Sequence, residues 1–155
     1  PAGGLERVGG VEYTEKERQF GEVLQQSFTN DVLPLSSAAE VQEFYVTDEG
    51  SGGSTDVGDV SWVVPTAGLR TATWVPGTPA HSWQAIAAGG TSIGNKGMIV
   101  AAKTLTLTAI DVFSDPQIVQ DAHRERERRV GPDFVYESLV GDRLPPLDYR
   151  KPATP

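Results

Sequence analysis

The chain has 155 residues, a formal net charge of −8 and no cysteine. Such a length predicts one domain or part of a larger one. The lack of cysteine excludes a disulfide scaffold, a cysteine-ligated zinc site and a thiol nucleophile, and it fits a cytoplasmic protein. The acidic balance disfavours non-specific nucleic-acid binding, which needs clustered Lys and Arg. No run of about 18 apolar residues and no basic-then-apolar leader is present, so neither a membrane span nor a signal peptide is predicted.

The first clear helix signal begins at Thr14. The run Thr-Glu-Lys-Glu fits a capping box, in which the Glu17 side chain returns to the Thr14 backbone. Apolar residues then recur at helical spacing and predict a helix over 15–28: they are Phe20, Val23, Leu24 and Phe28. Residues 29–40 look irregular around Pro34, and residues 41–46 predict a short strand.

The middle of the chain mixes apolar runs with glycine and proline. Residues 57–64 are apolar and end at Pro65, and periodicity leaves open whether they form one helical turn or two. Residues 69–75 alternate between two faces, which predicts a strand closed by the Pro-Gly-Thr-Pro run at 76–79.

Two helices are predicted after residue 90. The longer covers 92–113, with an apolar stripe suited to close packing: the stripe consists of Ile99, Ala102, Leu105, Ala109 and Phe113. Ser114 is expected to cap the next helix, with Pro116 in its first turn and Gly131-Pro132 ending it. Its Arg/Glu run predicts a solvated face, on which His123 is a surface residue. The proline-rich tail over 133–155 is expected to run over a surface.

Two features could carry chemistry. His81 follows the predicted strand end, where an imidazole could bind a metal or shuttle protons, or simply bond to a backbone carbonyl. The turn Ser54-Thr55-Asp56 could bind an anion or support a metal site, or merely lead into the next helix. A hydrolytic metal site needs three or more protein ligands and a base. The chain offers one well-placed His, so it looks unable to build such a site alone.

Three blocks of sequence carry a resemblance. They are GSTDVGDVSWVVP over 53–65, GTPAHSWQ over 77–84 and TSIGNKGM over 91–98. In order and spacing they resemble the C-terminal part of the metal-dependent amidohydrolase family of aminoacylases and carboxypeptidase G. Within that family they are similar to the branch formed by one of the subunits of aminobenzoyl-glutamate hydrolase. The resemblance covers roughly residues 10–115.

The resemblance implies a mechanism and a set of missing parts. Members hold two divalent ions, zinc or manganese, and a glutamate base activates a bridging water that attacks an amide carbonyl. The last metal ligand of the family matches His81, and Ser54, Thr55 and Asp56 match a motif bordering the substrate pocket. The other ligands, the base and the lid domain that makes the dimer belong to sequence that precedes the matched region. The chain therefore resembles a fragment, a cleavage product or one chain of a split enzyme, inactive by itself.

These observations predict an α/β fold, the C-terminal part of a zinc-peptidase-like catalytic domain with helices packed on a mixed sheet. Residues 1–115 would form the catalytic segment, and residues 116–155 the terminal helix and tail. The expected function is hydrolysis of N-acyl or N-aroyl amino-acid amides, such as aminobenzoyl-glutamate-like compounds or dipeptides. The expected partners are the missing N-terminal catalytic portion and, once complete, a second copy in a homodimer. The alternative is a non-enzymatic α/β module that binds an anion or acts as a scaffold.

Overall fold

The computed structural model describes residues 2–46 and 55–147. Within these ranges the regular structure is helical, with no strand, so the predicted α/β fold with helices on a mixed sheet is wrong. The elements are α1 (Ala2–Val8), α2 (Glu15–Gln25), a 3-10 helix (Leu35–Ala39), α3 (Val57–Val63), α4 (Trp83–Gly89), α5 (Ser92–Ser114) and α6 (Pro116–Val130).

The two predicted strands fail for the same reason. Residues 41–46 and 69–75 have no strand partner among the described residues, and a strand persists only where a neighbour satisfies its backbone groups. Within this segment Val75 is 1% exposed and lies in the core, and Ala72 of the opposite face also packs against the core. Within that segment the Thr73 N–H donates to the Thr71 carbonyl at 2.9 Å, a local turn in place of a ladder bond.

The described residues fall into two compact units. The first comprises 2–46 and 67–121, and the second comprises 55–66 and 122–147. The predicted division of the chain into 1–115 and 116–155 stays a prediction.

The core of the first unit is small. It is formed where α2, α4 and the start of α5 meet the 3-10 helix and the segment before α4. The buried apolar residues are Val11, Tyr13, Leu24, Ala38, Val75, Ala88 and Ile93. Close backbone contact accompanies this packing, because a Cβ on Gly10 would lie 2.5 Å from the Ala39 carbonyl.

Local signals place the helix starts well. The predicted capping box of α2 is confirmed, with the Thr14 N–H donating to Glu17 Oε2 at 2.6 Å. α2 ends at Gln25, three residues before the predicted end. Thr91 caps α5, where its Oγ1 accepts from the Ile93 N–H at 3.2 Å. The predicted span of α5 agrees with the structure to one residue at its C-terminal end.

The predicted packing face of α5 is wrong. The residues that α5 buries are Ile93, Gly94, Gly97 and Thr104, whereas the predicted stripe from Ile99 to Phe113 is exposed. The face with glycine and threonine packs inward because these residues let a neighbouring backbone come close to α5. The larger residues of the predicted stripe would prevent that approach. By length and composition alone, α5 is also long and apolar enough to cross a membrane. Of its most apolar window, 11% is buried within the protein.

The second unit is held by a few side-chain contacts. Trp62 of α3 stacks on Phe134 with ring centroids 4.9 Å apart, and Arg126 Nε donates to the Trp62 carbonyl oxygen at 3.0 Å. The Tyr136 hydroxyl donates to Asp59 at 3.0 Å. No residue of α3 is buried, so residues 57–64, left open by their pattern, form an exposed short helix.

The cap of α6 differs from prediction by one residue. Ser114 is the last residue of α5, and the Asp115 carboxylate accepts from the Gln117 N–H at 2.9 Å. The predicted C-terminal stop is confirmed, since α6 ends at Val130 and Gly131 takes a φ of +87°. Acidic and basic side chains of the Arg/Glu run form ion pairs, with Glu125 2.7 Å from Arg128 and 2.6 Å from Arg129.

Candidate functional site

The loop before α4 is the best-formed candidate site in the first unit. It starts where the Thr78 N–H donates to the Val75 carbonyl at 3.0 Å, and Gly77 takes a φ of +86°. Two amide side chains from the end of α2 and the following turn hold it. Gln25 donates to the Pro76 carbonyl at 3.0 Å, and Asn30 donates to the Gly77 carbonyl at 3.0 Å. Both hydrogen bonds therefore hold the backbone at the start of the loop.

His81 occupies a strained position in this fixed loop. Its φ is +57°, the left-handed region that non-glycine residues adopt at a cost of about 1–2 kcal/mol. The next residue, Ser82, caps α4 by accepting from the Ala85 N–H at 3.2 Å. The imidazole is exposed, and it makes no hydrogen bond or ion pair within the described residues. A strained residue on a firm support is typical of sites where a side chain must be presented in one direction.

An apolar surface adjoins His81. α4 was not predicted from the sequence, although Ser82 before an apolar run is an N-cap signal. Its buried face is Gln84, Ala85 and Ala88, while Trp83 is 62% exposed and Ile86 is 79% exposed. These two residues are three apart on a helix and therefore share one face. His81 is thus followed by an uncovered aromatic and aliphatic surface.

The other predicted site residues do not belong to the described part of the first unit. Ser54 lies outside the described residues. Thr55 and Asp56 belong to the second unit, whereas His81 belongs to the first. Thr55 Oγ1 accepts from the Val57 N–H at 3.3 Å, and Asp56 stands at the N-terminus of α3 without a side-chain capping bond. Thr55 and Asp56 are both exposed, and their role at a substrate pocket stays a prediction.

The described residues do not by themselves make a metal centre. No group of three or more His, Asp or Glu side chains within 2–46 and 55–147 is placed to hold an ion. His123 is exposed on α6, which agrees with its prediction as a surface residue. The metal-ligand role of His81 stays a prediction.

Two open clefts in the first unit contain none of the predicted site residues. One, of about 270 Å³, is lined by residues 37–38 and 71–78. The other, of about 470 Å³, is lined in part by Glu40, Tyr45 and Arg70. Neither includes His81, so the imidazole stands on a surface.

One polar cluster was missed from the sequence. Glu17, which closes the capping box, is buried, with 8% of its side chain exposed. Its Oε2 lies 2.5 Å from Lys96 Nζ, and its Oε1 accepts from the Ser92 hydroxyl at 2.6 Å. Lys96 also donates to the Glu12 carbonyl at 2.8 Å. The spacing of Ser92 and Lys96, four apart on one helix face, was the available signal.

The electrostatics of this cluster indicate a structural role. Burial by itself raises the pKa of Glu17, but hydrogen bonds from Lys96, Ser92 and Thr14 outweigh it and lower the pKa to about 2. Burial, aided by the Glu17 charge, raises the pKa of Tyr13 to about 12. A carboxylate that stays ionised and has both oxygens occupied is a poor proton acceptor. Glu17 therefore fastens the start of α2 to the start of α5.

The 91–98 block is accordingly explained by packing. A Cβ on Gly94 would lie 2.2 Å from the Gly89 carbonyl oxygen, and one on Gly97 would lie 2.5 Å from that of Ala72. Ile93 is fully buried. Thr91, Ser92 and Lys96 supply the cap and the Glu17 contacts described above.

Comparison with known proteins gives one informative relative. The chain is 42% identical over 91 residues to one of the subunits of p-aminobenzoyl-glutamate hydrolase from Escherichia coli (strain K12). The match covers 59% of this chain and 19% of the relative, so the chain spans about a fifth of the relative's length. No protein-family model and no solved structure matches the chain. The predicted closeness to this branch of hydrolases is confirmed.

Proposed function

We propose that the chain is the C-terminal catalytic segment of a metal-dependent amidohydrolase that cleaves N-acyl or N-aroyl amino-acid amide bonds. The observation that carries this proposal is the 42% identity over 91 residues to a hydrolase subunit. Aminobenzoyl-glutamate-like substrates follow the name of that relative, and dipeptides are the other substrates that the family resemblance implies.

The geometry of His81 supports a ligand role within this function. The imidazole is exposed, has no partner among the described residues and is presented from a loop fixed by Gln25 and Asn30. A neutral imidazole is the most common protein ligand of transition metals. In the assembled enzyme, two divalent ions, zinc or manganese, would supply the activated water that attacks the amide. Because no group of three or more His, Asp or Glu side chains among the described residues is placed to hold an ion, we assign the remaining ligands and the general base to other polypeptide.

That polypeptide would be the N-terminal catalytic portion, supplied by the same gene product or by a companion chain. The relative is named as one subunit of its hydrolase, which fits a companion chain. Homodimerisation of the completed enzyme and a cytoplasmic location belong to the same proposal. Ser54, Thr55 and Asp56 would border the substrate pocket.

The test assembles an enzyme and removes one imidazole at a time. The chain is co-expressed with the E. coli relative from which the 91 matching residues have been deleted, and hydrolysis of p-aminobenzoyl-glutamate is followed with added zinc or manganese. We expect His81→Ala to lower kcat/KM by about 100-fold or more, because a lost ligand disorders the metal site. The matched control is His123→Ala, which removes the other exposed histidine and should leave the rate unchanged.

Three results would contradict the proposal. Unchanged hydrolysis in the His81→Ala assembly would remove the imidazole from the mechanism. Tight zinc or manganese binding by the isolated chain in isothermal titration, accompanied by hydrolysis, would show that no second polypeptide is required. Anion binding that survives His81→Ala, without hydrolysis in any assembly, would favour the binding-module alternative.

A further inference from the structure

α5 buries one side and exposes a second apolar side. At about 100° per residue, Ile93, Gly97 and Thr104 fall within a narrow arc that faces the rest of the first unit. A second row lies on the opposite side of the helix, centred about 140° away. We call this row the outer stripe; its members are Met98, Ala102, Leu105, Ala109 and Phe113.

The outer stripe is uncovered along the helix. Met98 is 57% exposed, Leu105 is 56% exposed and Phe113 is 89% exposed. Ile99 and Ile110 flank it and are about half exposed. Alanines between the larger residues leave a smooth surface that another element could approach closely. A contiguous apolar surface of this length is typical of an interaction site and unusual for a free-standing domain.

A lipid bilayer fits this surface poorly. The inner side of α5 packs on α1 and α4, and it carries the Lys96–Glu17 ion pair and the Arg7–Asp111 contact at 3.4 Å. A helix that spans a membrane must satisfy lipid all round, or face other spanning segments. Lys103, exposed on the same helix, adds a charge that lipid would have to accommodate.

A companion polypeptide fits the surface better. The matching region is 19% of the relative. A protein of that size would therefore contain, outside the matching region, about four times as many residues as the matching region itself. The described residues lack a group of three metal ligands, and the proposed function accordingly takes the other ligands of His81's metal site from further polypeptide. An apolar helix face that is exposed in a segment becomes interior once the rest of its domain packs on it.

We propose that the outer stripe of α5 is the docking surface for the companion polypeptide. That occupant corresponds to the part of the relative outside the 91 matching residues, and it would contribute an apolar face. The inference rests on the proposed function, because that function is what calls for a companion. The inference adds where the companion polypeptide would contact this chain: on α5, away from the α4 face beside His81.

The experiment measures assembly and activity side by side. Tagged full-length chain is co-expressed with the E. coli relative lacking the 91 matching residues, and the recovered complex is quantified by affinity capture and light scattering. We expect Leu105→Glu to weaken recovery by roughly tenfold or more, because it places a charge at the centre of an apolar contact. The control is Lys103→Glu, which lies on the same helix but outside the outer stripe. It changes the net charge more than Leu105→Glu does, and it should assemble normally. Thermal unfolding of the isolated variants should match the parent, since both positions are exposed.

The remaining outcomes each count for or against the stripe. Equal recovery with Leu105→Glu, or no complex with the unaltered chain, would overturn the inference. A homodimer of the isolated chain that Leu105→Glu dissociates would assign the stripe to a second copy. Binding to phosphatidylcholine and phosphatidylglycerol vesicles that Leu105→Glu abolishes would assign it to a membrane surface. A complex that needs Leu105 but retains full hydrolysis with His81→Ala would uphold the docking surface and refute the proposed function.

Discussion

The start of α5 and the loop around His81 both come from the sequence blocks on which the predicted resemblance rests, yet they differ in how many of their side-chain contacts are made within the chain. At the start of α5, Ser92 and Lys96 bind the buried Glu17, and Gly94 allows backbone contact. In the loop, His81 is strained, exposed and without a partner among the described residues. Packing within the chain therefore accounts for the first block, whereas the ligand role of His81 stays a prediction.

A substitution at the closely packed start of α5 should have the largest effect on stability. Gly94→Ala places a Cβ against the Gly89 carbonyl, where neither backbone can move freely. We expect the free energy of unfolding to fall by about 3 kcal/mol or more, measured by denaturant titration. Gly3→Ala in α1 is the control, because nothing lies within 4 Å of its Cβ position. Equal stability of the two variants would show that α4 and α5 do not meet as closely as described.

The buried carboxylate makes a prediction about pH. The pKa of Glu17 is lowered to about 2 in the folded chain from its ordinary value of 4.5. A depressed pKa contributes stability above the unfolded value, and that contribution is lost as pH falls from about 5 towards 2. With screening at the half-exposed Lys96, we expect a loss of about 1–2 kcal/mol across this range.

Unfolding free energies between pH 6 and pH 2 test this expectation. Glu17→Gln removes the titrating group, so its acid limb should be flatter than that of the parent, whatever its overall stability. The matched control is Glu22→Gln on the exposed side of α2, which should leave the acid limb unchanged. An unaltered slope in Glu17→Gln would mean that other carboxylates govern acid unfolding.

The smallest expected change in stability concerns a buried and an exposed threonine of α5. Thr104 is fully buried and its Oγ1 has no hydrogen-bond partner among the described residues. Thr104→Val keeps the shape of the side chain and removes an unsatisfied polar group, so stability should rise by about 1 kcal/mol. Thr106→Val is the control, because the exposed Thr106 hydroxyl already donates to the Ala102 carbonyl at 2.8 Å. A loss of stability in Thr104→Val would reveal a partner for that hydroxyl.

The sequence by itself determined the features that depend on neighbouring residues. The capping box at Thr14, the span of α5 and the stop of α6 at Gly131 follow from backbone groups and side chains within a few positions. The pairing of Glu125 with Arg128 and Arg129 follows from helical spacing. The N-cap signal at Ser82 was equally local, and α4 could have been predicted from it.

Tertiary structure decided the features that depend on distant residues. Alternation over 69–75 predicted a strand, but the described residues provide no neighbouring strand, and Val75 is instead buried in the core together with residues of α2, α4 and α5. Apolar content favoured the outer side of α5 as its packing face. In the structure the glycine side packs instead, because a neighbouring backbone can approach the helix closely only where no Cβ intervenes. The Glu17–Lys96 pair joins residues 79 positions apart. No local pattern specifies such a contact, because it exists only once α2 and α5 have packed together.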